Sequence, residues 1–251
     1  MDRELTLRAT PHEEEERSKP ILSLDERRLL WTAICDAAGQ LRGRLTVCRK
    51  GSTTSIRVSD PISNVKDWQL AEALALLCVL LNTARVDAQS ITLFEALRAV
   101  TIGERGRTLH LWFQPQTRGH VTNLQAKPDI AVTFRPVCGA TGGNIQRVVE
   151  VKHVRKLRSL SVRQEFAKAF DLSVCSYCLL TYFPIPANIR SGADRFGLDV
   201  AELFIKPGMT PAELVSHVCE RLKESRNAER FTTNLKTQYE DYQRKQLTFN
   251  P

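Results

Sequence analysis

Two acids and a lysine stand out for what they could do together. Asp129 follows Pro128, and Glu150-Val151-Lys152 comes about twenty residues later, each set lying on or beside a β-branched run. Carboxylates are the hard oxygen ligands that Mg²⁺ prefers, an ion that keeps several waters of its own. A divalent ion so held lowers the pKa of a bound water and neutralises charge developing on a phosphodiester. An ammonium group beside it would orient the attacking water or stabilise that charge. The chemistry these residues suit is metal-assisted hydrolysis, with Asp129, Glu150 and the carbonyl of Val151 as metal ligands and Lys152 alongside.

The elements that must position them are two strands. Arg147 to Val154 is rich in valine and free of Gly and Pro, which favours a strand. Side chains alternate faces along a strand, so Glu150 and Lys152 point to one side and Val149 and Val151 to the other. Lys127 to Phe134 reads the same way, with Ile130, Val132 and Phe134 on one face and Asp129 on the opposite one. Pro128 is tolerated only near a strand start or edge, which puts Asp129 at the end of the sheet. The Gly-rich turn between, Pro136 to Asn144, makes the two strands antiparallel neighbours. The bland alternative is a hairpin whose Glu150 and Lys152 form a surface ion pair, worth little.

With Pro128-Asp129 and Glu150-Val151-Lys152 the chain resembles the PD-(D/E)xK nuclease superfamily, over about residues 90 to 185. The resemblance implies an α/β (α+β) fold with a restriction-endonuclease-like αβββαβ core, a central mixed sheet flanked by helices. It implies a Mg²⁺- or Mn²⁺-dependent nuclease that leaves a 5′-phosphate, with DNA expected ahead of RNA. Members often carry a further acid on the helix before the sheet, and Glu95 is the candidate metal ligand; Thr92 to Glu95 is equally a capping box opening a helix from Leu93 to Val100. Some RecB-like relatives place a Gln and, four residues on, a Tyr on the helix after the second motif. Gln164 matches, but Lys168 stands where the Tyr would be. Ser161 to Gln164 also reads as a capping box. The other reading, from a different class, is a catalytically silent nuclease-like subunit that binds nucleic acid or builds an assembly, because fold does not fix function.

Arg147, Arg155, Lys156, Arg158, Arg163 and Lys168 surround the motif and are candidate phosphate contacts. The formal charge of the 251-residue chain is +8, and its first seventeen residues hold six acids against three arginines. The body is therefore more basic than the whole. The longest apolar run, Ala73 to Leu81, falls short of the roughly 20 residues that span a bilayer. With no charged-then-apolar leader, the expectation is a soluble, intracellular protein. Seven cysteines fit a reducing compartment. Cys35, Cys78 and Cys219 fall in apolar helical patterns and are expected in the core, while Cys175 and Cys178 form a lone CxxC too sparse for a four-ligand zinc site.

The remaining chain divides by composition. Residues 1–20 read as a disordered acidic tail, 21–88 as a helix and hairpin subregion, 89–206 as the nuclease-like core, and 207–251 as a helical addition. Ser23 to Glu26 caps a helix striped with Leu29, Leu30, Ala33, Ile34 and Ala37. Leu45 to Val58 reads as a hairpin, and Val65 to Ala84 as a buried helix. Strands are expected at 108–113, 129–134, 148–154, 177–183 and 200–205, with a helix at 162–170. Pro184 to Gly197, with its prolines and glycines, reads as a loop. Thr210-Pro211-Ala212-Glu213 opens a terminal helix running to about Gln243. One such site per chain suits a homodimer or a larger nuclease complex for a double-strand cut.

Overall fold

The structure, a computed structural model, describes residues 22–41, 45–49, 52–54, 66–84, 90–94, 99–104, 107–133, 145–152, 157–203, 205–223 and 228–249. The acidic tail 1–20, the turn 136–144, Glu95, Arg155 and Lys156 lie outside them.

Helix α1 (Leu24–Leu41) is followed by the hairpin β1 (Leu45–Arg49) and β2 (Ser52–Thr54), then helix α2 (Asp67–Ala84). Three strands follow: β3 (Ser90–Phe94), β4 (Ala99–Glu104) and β5 (Arg107–Phe113). A small hairpin, β6 (Thr117–Arg118) and β7 (Gln125–Ala126), leads to β8 (Ile130–Thr133) and β9 (Ile145–Lys152). Helix α3 (Ser159–Leu172), β10 (Ser176–Thr181), helix α4 (Ala187–Phe196) and β11 (Asp199–Glu202) complete the sheet. Helices α5 (Pro211–Lys223) and α6 (Ala228–Phe249) close the chain.

Among the described residues the sheet is mixed and nine-stranded, in the order β11-β10-β9-β8-β5-β4-β3-β1-β2. Strands β9, β10 and β11 are parallel, and α3 and α4 supply the helical crossovers that parallel neighbours need. From β9 through β8, β5 and β4 to β3 the pairing is antiparallel. On one face, Ile130, Val149, Val151, Cys178 and Leu180 pack against α1, α2 and α5. On the other, Ala131, Val148, Tyr177 and Leu179 pack against Val162, Phe166, Ala169 and Leu172 of α3. Helix α2 is apolar nearly all round because it lies between the sheet and the other helices: Leu70, Ala71, Leu74, Ala75 and Cys78 are all buried.

Two capping boxes form as the sequence pattern predicts. Ser23 N donates to Glu26 Oε2 at 2.7 Å and Glu26 N to Ser23 Oγ at 3.3 Å. Thr210 N donates to Glu213 Oε2 at 2.8 Å and Glu213 N to Thr210 Oγ1 at 3.3 Å.

Other expectations are overturned. Thr92, Leu93 and Phe94 belong to β3, paired with β1 and β4, and open no helix. Ile91, Thr92 and Phe94 are strand formers, and two ready partners outweigh a four-residue capping pattern. Ser161 caps nothing: α3 already begins at Ser159, with Arg158 as N-cap and no side-chain cap bond. The segment 184–197 is no loop but holds α4, with Pro186 at its N-cap and Gly197 ending it at φ 76°. Its two prolines and Gly197 frame a helix, and Gly192 lies inside it. The terminal helical stretch is two helices, α5 and α6. Cys35 is exposed, on the outer side of α1, while Cys78 and Cys219 are buried.

Candidate active site

The site lies at one end of the sheet, where β5 and β9 finish and β8 begins. Pairing of Ile130 with Val149 carries Asp129 to a place beside Glu150. Val151 N donates to Asp129 Oδ2 at 2.8 Å, and Asp129 N lies 3.4 Å from Glu150 Oε2. Gln114, just past β5, donates its backbone N–H to Asp129 O at 2.8 Å. The two acids named from the sequence are thus neighbours across antiparallel strands.

Glu150 and Lys152 share a face, as alternation requires, and that face is covered by α3. Lys152 Nζ is 3.5 Å from Glu150 Oε1 and pairs with Glu165 of α3. Lys168 Nζ, one turn further along α3, lies 2.8 Å from the same Glu150 oxygen and 3.5 Å from Lys127 O. The Tyr177 hydroxyl donates to Glu165 Oε2 at 2.5 Å.

Charges follow from this packing. Burial is the largest single influence on Glu150 and acts to raise its pKa, but Lys168 and Lys152 outweigh it and hold the carboxyl below its ordinary value. Burial likewise acts to lower Lys152, yet Glu150 and Glu165 lift it well above the usual lysine value. Lys152 is therefore a fixed cation, suited to stabilising charge or orienting water and unsuited to removing a proton. Asp129 is pushed up to about 8 by burial first, then by the negative charges of Glu150 and Glu72.

Glu72 is the residue that the sequence reading missed. It lies on α2, buried, where Gln114 Nε2 donates to its Oε2 at 2.9 Å. An acid in the otherwise apolar stretch Leu70 to Leu81 was the available signal. Glu165, buried beside the exposed Gln164, carries no motif in the sequence that marks it.

The other named residues scatter. Arg147 sits on the far face with Val149 and Val151, where its Nη1 donates to Leu222 O of α5 at 2.6 Å. It does not converge with Glu150, because an odd offset on a strand changes face. Arg158, Arg163 and Gln164 are exposed at the start of α3, whereas Lys168 turns inward to Glu150.

The donor set suits a hard divalent cation. Asp129 is part-exposed, no donor among the described residues reaches its Oδ1, and it is crowded by other acids whose repulsion a cation would relieve. Among the described residues, however, no three His, Cys, Asp or Glu side chains converge as a ready-made metal cluster. No family model, curated protein or solved structure matches the chain. No helix among the described residues is long and apolar enough to cross a membrane.

Proposed function

We propose that this chain is a metal-dependent nuclease of the PD-(D/E)xK type, acting on DNA. The observation that carries the reading is the convergence of Asp129 and Glu150 across β8 and β9 with Lys152 on the same face. Asp129 and Glu150 would hold Mg²⁺ or Mn²⁺, with Glu72 a further acid close enough for its charge to act on Asp129. When bound, the ion would supply Lewis acidity and a water of lowered pKa. Lys152, kept ionised by two carboxylates, is suited to offsetting charge on a phosphate oxygen. Val151 N–H holds Asp129 in place. Exposed Arg158 and Arg163 at the start of α3 are suited to phosphate contacts near the site. An intracellular location belongs to the same proposal.

The test is cleavage of plasmid, linear DNA and matched RNA with Mg²⁺ or Mn²⁺, by wild type, Asp129→Ala and Lys152→Ala. Metal-dependent cutting by wild type that both variants lose is the expected result; equal cutting by all three would sink the proposal. One observation favours the second reading, a silent nucleic-acid-binding subunit: Glu150 Oε1 is shared by two lysines. Metal-independent binding of DNA, unchanged by Asp129→Ala and with no cleavage, would decide for it.

A further inference from the structure

Glu165 follows Gln164 on α3 but points inward, and it is only 7% exposed. One of its carboxylate oxygens meets Lys152 Nζ. The other accepts the Tyr177 hydroxyl. Both oxygens are therefore occupied by this chain's own donors, which leaves Glu165 poorly placed as a metal ligand. Tyr177 is wholly buried on β10, directly beside Val148 of β9. Its ring is fixed by packing against α3 and the sheet, and its hydroxyl stays protonated, raised far above the ordinary value by burial.

A lysine stem is long and flexible, with three donors that rotate freely. Glu150 alone, at 3.5 Å, is a loose partner for Lys152. A second carboxylate, brought from α3 and itself immobilised by a packed aromatic, converts that loose pair into a fixed one. Burying an acid among apolar groups is costly unless it is paired and hydrogen-bonded, and here one oxygen of that acid holds the ammonium group while the other is held by Tyr177.

The geometry points to Glu165 as the positioning residue for Lys152, with Tyr177 as the residue that fixes Glu165; the inference rests on the nuclease reading above. The test compares wild type, Glu165→Gln, Tyr177→Phe and the double variant of the full chain, with Mn²⁺ and DNA. In Glu165→Gln, kcat should fall by about 10- to 100-fold, the size of effect found when an outer partner of a site group is removed. KM for DNA, and Mn²⁺ affinity measured by electron paramagnetic resonance, should stay within about twofold, because neither substrate nor metal touches Glu165. Tyr177→Phe should lower kcat less, and the double variant should be no worse than Glu165→Gln, since both act through one contact.

Unchanged kcat in both single variants would overturn the inference. So would Mn²⁺ affinity falling in step with kcat, which would make Glu165 a ligand, or losses that simply multiply in the double variant. If Glu165→Gln does not fold, Tyr177→Phe, which keeps the ring, carries the kcat and KM comparison alone. Wild type that cuts while the variants cut equally removes this inference only; wild type that cuts nothing removes the nuclease reading and this inference with it.

Discussion

Replacing Asp129 with Asn should stabilise the metal-free protein at neutral and alkaline pH. The Asp129 carboxyl is pushed from 3.8 up to about 8 by burial and by the charges of Glu150 and Glu72. Folded protein therefore holds a proton that the unfolded chain has released, at every pH between those values. The contribution to stability is complete below pH 3.8, declines above it, and is gone by about pH 8. A little over three pH units of that window lie below pH 7. At about 1.4 kcal/mol per unit, Asp129 costs the fold at most about 4 kcal/mol at pH 7. Asn is neutral and keeps an oxygen to accept from Val151 N, so it removes the penalty without losing that bond. For a chain of this size about 1 kcal/mol moves the thermal midpoint by about 2–4 °C. Thermal unfolding in EDTA, at pH 4.5, 6, 7 and 8, should show Asp129→Asn melting above wild type at pH 8 by several degrees. The gap should shrink as pH falls and close near pH 4.5. With Mn²⁺ the order should reverse, since wild type gains from binding the ion and the variant does not. An Asp129→Asn variant that melts at or below wild type at pH 8 would refute the claim that Asp129 is a crowded, electrostatically costly acid.

Three further predictions follow from single contacts. Because Asp129 must give up its proton to become a ligand, apparent Mn²⁺ affinity should climb by up to about tenfold per pH unit and level off near pH 8; calorimetry showing no rise between pH 6 and 8 would contradict it. Gly197→Ala should lower stability by about 2 kcal/mol or more, because Gly197 has φ +76° and a Cβ there would lie 2.5 Å from Phe231 N, whereas Gly192→Ala, with nothing within 4 Å, should raise stability by about 0.5–1 kcal/mol on helix preference; chemical denaturation reads both. Arg163→Glu should weaken DNA binding and reduce the salt slope by about one unit, while Arg147→Gln, remote from the site and tied to Leu222 O, should leave the slope unchanged.

Period and punctuation made much of the site legible. Alternation put Glu150 and Lys152 on one face, where the structure has them, and the pairing of Ile130 with Val149 brings Asp129, just before β8, beside Glu150. The capping boxes at Ser23 and Thr210 were readable because every contact in them is local. The same local pattern at Thr92 to Glu95 misled, since β1 and β4 offered Ile91 to Phe94 a pairing that four residues of sequence do not reveal. At 184–197, Pro and Gly marked the two ends of α4, and only the spacing between them distinguishes a framed helix from a loop.

What stayed hidden depends on which helix crosses which strand. Glu72 meets the site because α2 lies across the end of the sheet where Gln114 and Asp129 emerge, forty or more residues away in sequence. Glu165 meets Lys152 because α3 returns over the face that Lys152 already occupies. The face that Arg147 takes, by contrast, is legible in the sequence. Arg147 is three positions before Glu150, and on a strand an odd offset means the opposite face. Three residues of separation bring side chains together on a helix but set them on opposite faces of an extended segment. The same parity, applied to β10, separates Tyr177, which joins Glu165, from Cys178, whose thiol is buried on the other side with Val149. Strand parity, more than the tally of nearby charges, decides which residues of this chain share a site.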